Sequence, residues 1–430
     1  MKAGTTRFTL DNGLRVVYSC NPTLSMAVVC TLYNVGSRDE SADHTGMAHL
    51  FEHLMFGGSV NIPDFDGELQ RAGGISNAWT GNDYTCFYDI IPAHNIATAL
   101  WLESDRMLSL AFSEKALEVQ RSVVVEEFKE VCLNQPYGNM GHLLFGMCYP
   151  GHPYGVPVIG RDFHDIEKTT QTDVRQWFFS HYSPDNAVLS IVAGIEPAEI
   201  VRMVEKWYGS IPCRNITPRS IPLPDFEANP AGSPDFRLPV QLEPRTVESR
   251  GDVPHTAITI AFPMDPYGTD GYFTADLLSD ILANGKASRF HRNLLMNRDI
   301  FASVDASILG TEHPGLFLIN ARLLRRGEEA EREAIDAIRC ELAALTSDRP
   351  VSHAELTRCL NRLESDRLFG AMEPLDKAQN MARCEMHAIT PDTELDRYRR
   401  VTPRWITDYA SRLLSPLRSN TLIYRPLERT

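Results

Sequence analysis

The sequence lacks several features that would assign it to a particular class of protein. No stretch of 18 apolar residues occurs in its 430 residues, which argues against a transmembrane helix. Basic residues are in the minority, with 42 lysines and arginines against 56 aspartates and glutamates and a formal net charge of −14. This charge argues against nucleic acid or an anionic membrane as the main partner.

Closely spaced cysteines are also missing. Nine cysteines are scattered from Cys20 to Cys384 without a C-x-x-C pair, which argues against cysteine ligation of zinc. An odd number without close pairs is typical of reduced thiols. The first residues read as a strand and a turn at 11–13, without the apolar segment of a signal peptide. We therefore expect a cytoplasmic protein, or a periplasmic one if a signal has been removed.

The chain is too long for one compact core, and its prolines indicate where it divides. Seven prolines between 212 and 239 exclude a helix or a central strand there and predict an extended linker. We expect an N-terminal domain over 1–215, a proline-rich linker over 216–240 and a C-terminal domain over 241–430. Helical patterns that interleave with half-solvated strands predict the α+β class.

The two halves are similar around one strand and one helix. Residues 48–58 align without a gap with residues 275–285, and each stretch follows a predicted strand, at 27–33 and 257–262. The apolar positions coincide, so we interpret them as packing residues. The second copy keeps no histidine, and its polar residues at the corresponding positions are Asp276, Ser279 and Asp280. We expect a duplicated unit whose second copy lacks zinc ligands.

The first copy contains the pattern His49-Leu50-Phe51-Glu52-His53. Histidines four residues apart lie on one face of a helix, so both imidazoles can reach one metal ion, with Glu52 on the same turn. The order H-x-x-E-H is the inverted form of the zinc-protease signature H-E-x-x-H. A catalytic zinc usually has three protein ligands and an open position for water. The pattern therefore predicts that the N-terminal domain is catalytic and contains a zinc site that still needs its third ligand.

A carboxylate-rich segment at 120–130 offers that third ligand. It has helical length and a valine-rich face, and Glu126, Glu127 and Glu130 are all candidates. Glu127 and Glu130 share a face at a spacing of three residues, and Glu126 and Glu130 at a spacing of four. The residues themselves do not choose among the three, and such a cluster is also typical of a solvated helix face.

Glu52 is the candidate general base. Bound zinc lowers the pKa of its water to roughly 7, and a neighbouring carboxylate can take the proton as the oxygen attacks a carbonyl. Amide hydrolysis needs this combination. The alternative is a surface helix that carries two histidines and a solvated glutamate. The amphipathic helix, the glycine pair at 57–58 and the later carboxylate-rich helix favour catalysis.

Three blocks follow one another along the first half: the inverted zinc motif at 46–58, the stretch 73–80 with 83–88, and the run 121–127 with 134–138. Together they resemble the pitrilysin/insulinase family of metallopeptidases, in particular bacterial relatives of the mitochondrial processing peptidase β subunit. The resemblance implies two homologous α/β-sandwich halves, each a mostly antiparallel sheet covered by helices, which enclose a substrate chamber. It also implies one zinc ion per chain.

The resemblance assigns the third ligand. In the family the distal glutamate lies six residues after an arginine, and here that residue is Glu127, which joins His49 and His53. Family members often carry another glutamate seven positions earlier, which contacts the metal ligands without binding the metal itself. This chain has Gln120 there, so the tuning of the metal is expected to differ.

The resemblance also implies where a substrate binds. Family members add the substrate as a strand along the segment that here reads Asn77, Ala78, Trp79 and Thr80. An extended peptide can satisfy its backbone on an exposed sheet edge, and a small residue such as Ala78 allows close approach. The alternative is an ordinary edge strand with a buried Trp79.

The second half departs from the family pattern. Related enzymes have an arginine and, seven residues later, a tyrosine that help to hold the substrate, and the matching positions here are Leu295 and Ala302. Arg289, Arg292 or Arg298 could replace the arginine only in a shifted register. We therefore expect a homodimer or heterodimer in which a homologous chain supplies the missing pair.

The leading hypothesis is a zinc-dependent endopeptidase that cuts peptides or unfolded segments in a closed chamber. The alternative is a non-catalytic structural or assembly subunit that retains the peptidase fold. A metal-binding regulator without turnover is a third option that no feature favours. Loss of any residue of the site would favour the subunit, and all are present: His49, Glu52, His53 and Glu127.

Overall fold

A computed structural model describes residues 4–216, 241–297 and 299–428. The chain divides into two compact units. The first unit comprises Met1–Lys129, Val156–Ile221 and Arg367–Pro391, and the second unit comprises Glu130–Gly155, Pro222–Asp366 and Asp392–Thr430. The predicted proline-rich linker lies, apart from Ile216, outside the described residues, so its extended structure stays a prediction.

The described residues form eleven strands and fourteen α-helices. The strands are β1 (Gly4–Thr9), β2 (Arg15–Cys20), β3 (Met26–Tyr33), β4 (Ile75–Thr80), β5 (Thr85–Pro92), β6 (Ala187–Ala193), β7 (Arg245–Gly251), β8 (Ala257–Met264), β9 (Phe301–Leu309), β10 (Gly315–Leu323) and β11 (Asn420–Pro426). The helices are α1 (Met47–Met55), α2 (Phe65–Arg71), α3 (Ile96–Leu108), α4 (Glu114–Phe128), α5 (Met140–Cys148), α6 (Phe163–Glu167), α7 (Gln171–His181), α8 (Pro197–Tyr208), α9 (Asp270–Ala283), α10 (Glu328–Ala344), α11 (His353–Gly370), α12 (Pro374–Met386), α13 (Pro391–Arg400) and α14 (Pro403–Leu413).

The sheet of the first unit has six strands in the order β1-β2-β6-β3-β5-β4. Neighbouring strands are antiparallel except β2 and β6, which are parallel. The central strands β2, β3 and β6 are rich in valine and are buried along nearly their whole length, as expected for strands covered on both faces. β4 alternates between exposed and half-buried residues and forms one edge of the sheet.

Helices cover both faces of this sheet. On one face, α1, α3, α7 and α8 contribute to a single apolar core, in which Phe51 of α1 and Leu100 of α3 have no exposed surface. On the other face, Met381 and Ala382 of α12 pack against strand residues such as Val28. The helix that carries the zinc motif is therefore anchored by its apolar side to the sheet.

The sheet of the second unit has five strands in the order β7-β11-β8-β10-β9, and β7 with β11 is its parallel pair. Residues of α9, α10, α11 and α14 form the core on one face. On the other face, Leu144 and Cys148 of α5 pack against Leu316 and Leu422.

Each unit thus contains one helix from the other half of the sequence. α12 belongs to the first unit and α5 to the second. The sequence analysis placed one domain on each side of the proline-rich segment and did not predict this exchange. An amphipathic pattern shows that a helix has an apolar face, but it does not show which sheet that face covers.

The predicted repeat is present in the fold. β3 leads to α1 in the first unit, and β8 leads to α9 in the second. Both sheets are mostly antiparallel and carry helices on their faces, so the α+β class and the two α/β-sandwich halves are confirmed. Within the described residues, no helix is long and apolar enough to cross a membrane.

Candidate metal centre

α1 presents the polar residues of the motif on its outer side. Its residues Leu50 and Phe51 are fully buried in the core. His49, Glu52 and His53 lie on the other side of the helix and are only half-buried. Packing of the apolar side therefore decides which way the histidines point.

The start of α1 is held by Glu40, a residue that the sequence analysis missed. Gly46 precedes the helix with φ of +85°, a conformation that favours glycine, and it has no side chain that could cap the helix. The carboxylate of Glu40 accepts hydrogen bonds from the amides of Gly46 (2.9 Å) and Ala48 (2.8 Å) instead. In the sequence, this role of Glu40 could have been inferred from its place shortly before α1, a helix preceded by a glycine that has no capping side chain.

α4 brings one carboxylate to the two histidines. Glu127 Oε2 lies 3.3 Å from His53 Nε2, and Glu127 Oε1 lies 3.7 Å from His49 Nε2. The adjacent Glu126 is exposed and accepts a hydrogen bond from Lys129 Nζ (2.7 Å). Consecutive residues of a helix point about 100° apart, so the structure separates Glu127 from its neighbour.

The three residues fit a zinc ion. Their ligand atoms lie within 4.8 Å of one another, and no other group of this kind occurs in the part of the chain that the structure describes. Two ligands of a tetrahedral zinc, each at roughly 2.0–2.1 Å, are about 3.3 Å apart, so small side-chain adjustments suffice. Two imidazoles and a carboxylate are also the donor set of several catalytic zinc sites. Glu130, the remaining candidate, is exposed and outside this group.

The ionisation of the side chains suits a cation. Burial lowers the pKa of His49, with Glu127 opposing, and a neutral imidazole is the form that binds a metal. A hydrogen bond with His53 lowers the pKa of Glu127 against the effect of burial, so this carboxyl is ionised. Burial raises the pKa of Glu52, and a hydrogen bond from Thr80 offsets part of the rise. A raised pKa makes Glu52 a stronger base.

The predicted substrate segment forms most of β4. Asn77 and Trp79 are exposed, and Trp79 retains 40 % of its surface, so the burial of Trp79 in the alternative interpretation is wrong, whereas its edge strand is present. The side chain of Asn77 accepts a hydrogen bond from the amide of Ala78 (2.8 Å). Thr80 lies at the end of the strand, and its hydroxyl donates to Glu52 Oε2 (2.5 Å). The binding of a substrate by these four residues stays a prediction.

Gln120 lies on α4 two helical turns before Glu127, on the same side of the helix, and is half-buried. Its predicted role in supporting the metal ligands stays a prediction.

The second unit has side-chain hydrogen bonds at the positions of the motif. Asp276 accepts a hydrogen bond from the hydroxyl of Tyr398 (2.6 Å). Ser279 donates to the carbonyl of Asp276 (2.8 Å), and Asp280 accepts from Asn284 (2.7 Å). Within the described residues these side chains belong to no three-ligand group. That this copy lacks a zinc site stays a prediction.

The positions expected for the arginine and tyrosine pair contain small or apolar side chains. Leu295 packs partly against the core of the second unit, and Ala302 is exposed on β9. Arg289 is only 4 % exposed and is bound to Glu355, so it is not free to contact a substrate. Arg292 is exposed, and Arg298 lies outside the described residues.

Family models match two parts of the chain. Residues 15–145 match the model of the insulinase peptidase family M16, and residues 168–363 match that of the M16 inactive domain. The chain therefore belongs to the M16 family of peptidases, the family of insulinase and pitrilysin. This finding confirms the family that the three sequence blocks indicated.

Several relatives carry the name zinc protease. Zinc protease PqqE of Helicobacter pylori is 28% identical over 317 residues, which cover 73% of this chain and 68% of that protein. The uncharacterized zinc protease YmxG of Bacillus subtilis is 24% identical over 428 residues, or 95% of this chain and 98% of that protein. The probable mitochondrial-processing peptidase subunit beta of Schizosaccharomyces pombe is 29% identical over 283 residues, or 64% of this chain and 58% of that protein.

Solved structures have the same fold. The crystal structure of a protease from Helicobacter pylori matches with a TM-score of 0.86 and 24% identity, over 99% of this chain and 100% of that chain. Pitrilysin matches with a TM-score of 0.79 and 17% identity, over 99% of this chain and 45% of the pitrilysin chain. At such identities the likeness concerns the fold alone.

Proposed function

We propose that this protein is a zinc-dependent endopeptidase that hydrolyses peptides or unfolded segments in a closed chamber. The proposal depends above all on one observation, the convergence of His49, His53 and Glu127 beside Glu52. Membership of the M16 family and the relatives named zinc protease support it.

In this proposal His49, His53 and Glu127 hold one zinc ion. When bound, zinc polarises the peptide carbonyl and lowers the pKa of water to roughly 7. Glu52 accepts a proton from the attacking water at a carboxylate oxygen and later donates it to the nitrogen of the leaving amine. Its partial burial raises its pKa, which favours the first transfer without preventing the second.

The proposed substrate is an extended peptide that pairs with the open edge of β4 along residues 77–80. The pairing supplies backbone hydrogen bonds that do not depend on the sequence of the peptide. We further propose a homodimer or a heterodimer, in which a homologous chain provides the arginine and tyrosine that are absent at Leu295 and Ala302.

The test compares zinc content and peptide cleavage in wild type, Glu52→Gln and the control Glu118→Gln, an exposed position of α4. Each is measured alone and together with a co-expressed homologue. We expect about one zinc per chain in all three, and a loss of cleavage of about 10²- to 10⁴-fold in Glu52→Gln alone. Equal cleavage by wild type and Glu52→Gln would contradict the proposed base.

A structural or assembly subunit is the second candidate function. The absence of the arginine and tyrosine pair favours it, as does the match of residues 168–363 to the inactive-domain model. Wild-type protein that binds zinc but cuts no peptide, even with the homologue present, would contradict the first candidate and favour this second one.

A further inference from the structure

Thr80 lies where the edge strand meets the metal centre. Along β4, Ser76, Ala78 and Thr80 share one face because side chains alternate in a strand. Ser76 donates to Asp66 of α2 (3.2 Å), and Ala78 packs against the core that contains α1. This face therefore points toward the helices of the first unit. At its end, Thr80 reaches Glu52 of α1.

The contact between these two side chains is specific. Thr80 Oγ1 donates a hydrogen bond of 2.5 Å to Glu52 Oε2. Within the described residues, Glu52 has no other hydrogen-bond partner, so its second oxygen, Oε1, is left for another ligand. A glutamate side chain has three rotatable bonds, and this hydrogen bond selects one of its conformations.

Thr80 itself is firmly held. It pairs with Thr85 of β5, which is fully buried and donates to the carbonyl of Val35 (3.0 Å). The turn between the strands is held through Gly81, which donates to the carbonyl of Tyr84 (2.8 Å) and accepts from the amide of Ser37 (3.1 Å). Threonine is branched at Cβ, so few rotamers of its side chain are accessible. The hydroxyl is therefore presented to Glu52 from a rigid support.

We propose that Thr80 is a positioning residue for Glu52: it holds one carboxylate oxygen so that the other faces the reacting water. The inference rests on the proposed peptidase function and changes the role of Thr80 within the predicted substrate segment. Thr80 lies on β4, the strand along which the substrate is proposed to pair. The strand proposed to bind the peptide is thus connected to the proposed general base by the hydroxyl group of Thr80. A small displacement of a catalytic group lowers the reaction rate strongly, because the reacting atoms must be close together and aligned.

The first test uses Thr80→Val, which keeps the shape but removes the hydroxyl, and Thr80→Ser, which keeps the hydroxyl. The control is Ser76→Ala, because Ser76 lies on the same face of the strand but binds Asp66. We expect Thr80→Val to lower kcat about 10- to 100-fold with zinc content and KM unchanged. Thr80→Ser and Ser76→Ala should stay within about threefold of wild type. A rise in KM at unchanged kcat, or no rescue by serine, would overturn the proposal.

Combining Thr80→Val with Glu52→Gln separates action through Glu52 from direct contact with the substrate. If Thr80 acts only through Glu52, adding Thr80→Val to Glu52→Gln should lower the residual activity by less than about twofold. A further 10-fold loss in the double variant would show an independent role and would contradict the proposal.

Crystal structures of zinc-loaded wild type, Thr80→Val and Thr80→Ser provide a readout that needs no activity. We expect a single Glu52 side-chain conformation in wild type and in Thr80→Ser, and a changed or multiple conformation in Thr80→Val. An unchanged Glu52 in Thr80→Val would refute positioning even if the wild type cleaves peptides. Conversely, a changed Glu52 in a wild type that cuts nothing would support positioning while the proposed function fails.

Discussion

At the residue scale, the rotation of α4 about its axis decides which carboxylate lies beside the two histidines. Glu127 reaches both imidazoles, whereas the adjacent Glu126 binds Lys129. The residues alone left three glutamates open, because spacing along a helix shows which residues share a face but not what that face meets. The family resemblance selected Glu127, and the same residue is the one that lies beside His49 and His53.

We expect Glu127→Gln to bind zinc far less tightly than wild type, because a neutral amide replaces the only carboxylate of the ligand group. The matched control is Glu126→Gln, one residue away and exposed. Zinc content after dialysis against a competing chelator measures the effect. A drop in affinity of 10-fold or more is expected for Glu127→Gln and none for Glu126→Gln. Equal zinc loss in both variants would argue against the assigned ligand.

The second unit offers a residue-scale prediction on pH. Burial acts to raise the pKa of Glu355, but hydrogen bonds from Arg289 and Ser352 lower it to about 2. In the unfolded chain this carboxyl titrates near pH 4.3, as a glutamate does. It therefore contributes stability above about pH 4.3, and that contribution is lost as the pH falls toward 2.

We expect Glu355→Gln to lower the free energy of unfolding by about 1–3 kcal/mol at pH 7, because it weakens hydrogen bonds to a charged group. The difference from wild type should shrink between pH 4 and pH 2. Urea unfolding at several pH values measures it, with the exposed Glu329→Gln of α10 as the control. A difference that stays constant down to pH 2 would disprove the linkage.

At the scale of the element, α1 depends on a residue outside itself. The amides at the start of a helix have no partner within it, and Gly46 has no side chain to cap them. Glu40 accepts two of these hydrogen bonds from the loop that precedes the helix. The apolar positions of α1 could be predicted from the helical spacing of its apolar residues. The cap could not, because it depends on the conformation of the loop before the helix.

We expect Glu40→Ala to destabilise the fold by about 1–3 kcal/mol, because two amides at the start of α1 lose their acceptor. Glu40→Gln, which keeps one acceptor oxygen, should lose less. The measurement is urea unfolding of the zinc-free protein, so that ligand binding does not contribute. If both substitutions leave the free energy of unfolding unchanged, water replaces the carboxylate and the cap is unimportant.

At the scale of the whole molecule, each sheet is completed by a helix from the distant half of the sequence. The face of the first sheet opposite α1 has apolar residues, among them Val17, Val28 and Val192, and α12 covers them. Burial of such side chains is a main source of stability, worth about 1.5–3 kcal/mol for each large one. The two halves of the chain are therefore interdependent.

We expect a fragment of residues 1–216 to be insoluble or to bind hydrophobic dyes when it is expressed alone, because it lacks α12. Co-expression with residues 241–430 should restore a cooperative unfolding transition. A full chain with a protease site inserted between 217 and 240 should stay folded after cutting and is the control. A fragment 1–216 that unfolds cooperatively by itself would contradict this prediction.

The sequence by itself determined the motif, the repeat and the α+β class. These properties depend on spacing and on apolar periodicity, which are local along the chain. The absence of the motif from the second copy was also visible, since Asp276, Ser279 and Asp280 occupy its positions in the alignment.

Only the tertiary structure decided which helix covers which sheet and which atoms converge. Three features depend on it: the exchange of α5 and α12, the cap from Glu40, and the contact between Thr80 and Glu52. Each joins residues that are distant in sequence or that belong to no repeating pattern. No local period encodes such contacts, because the partner of an apolar face or of a polar side chain is selected by the packing of the whole chain.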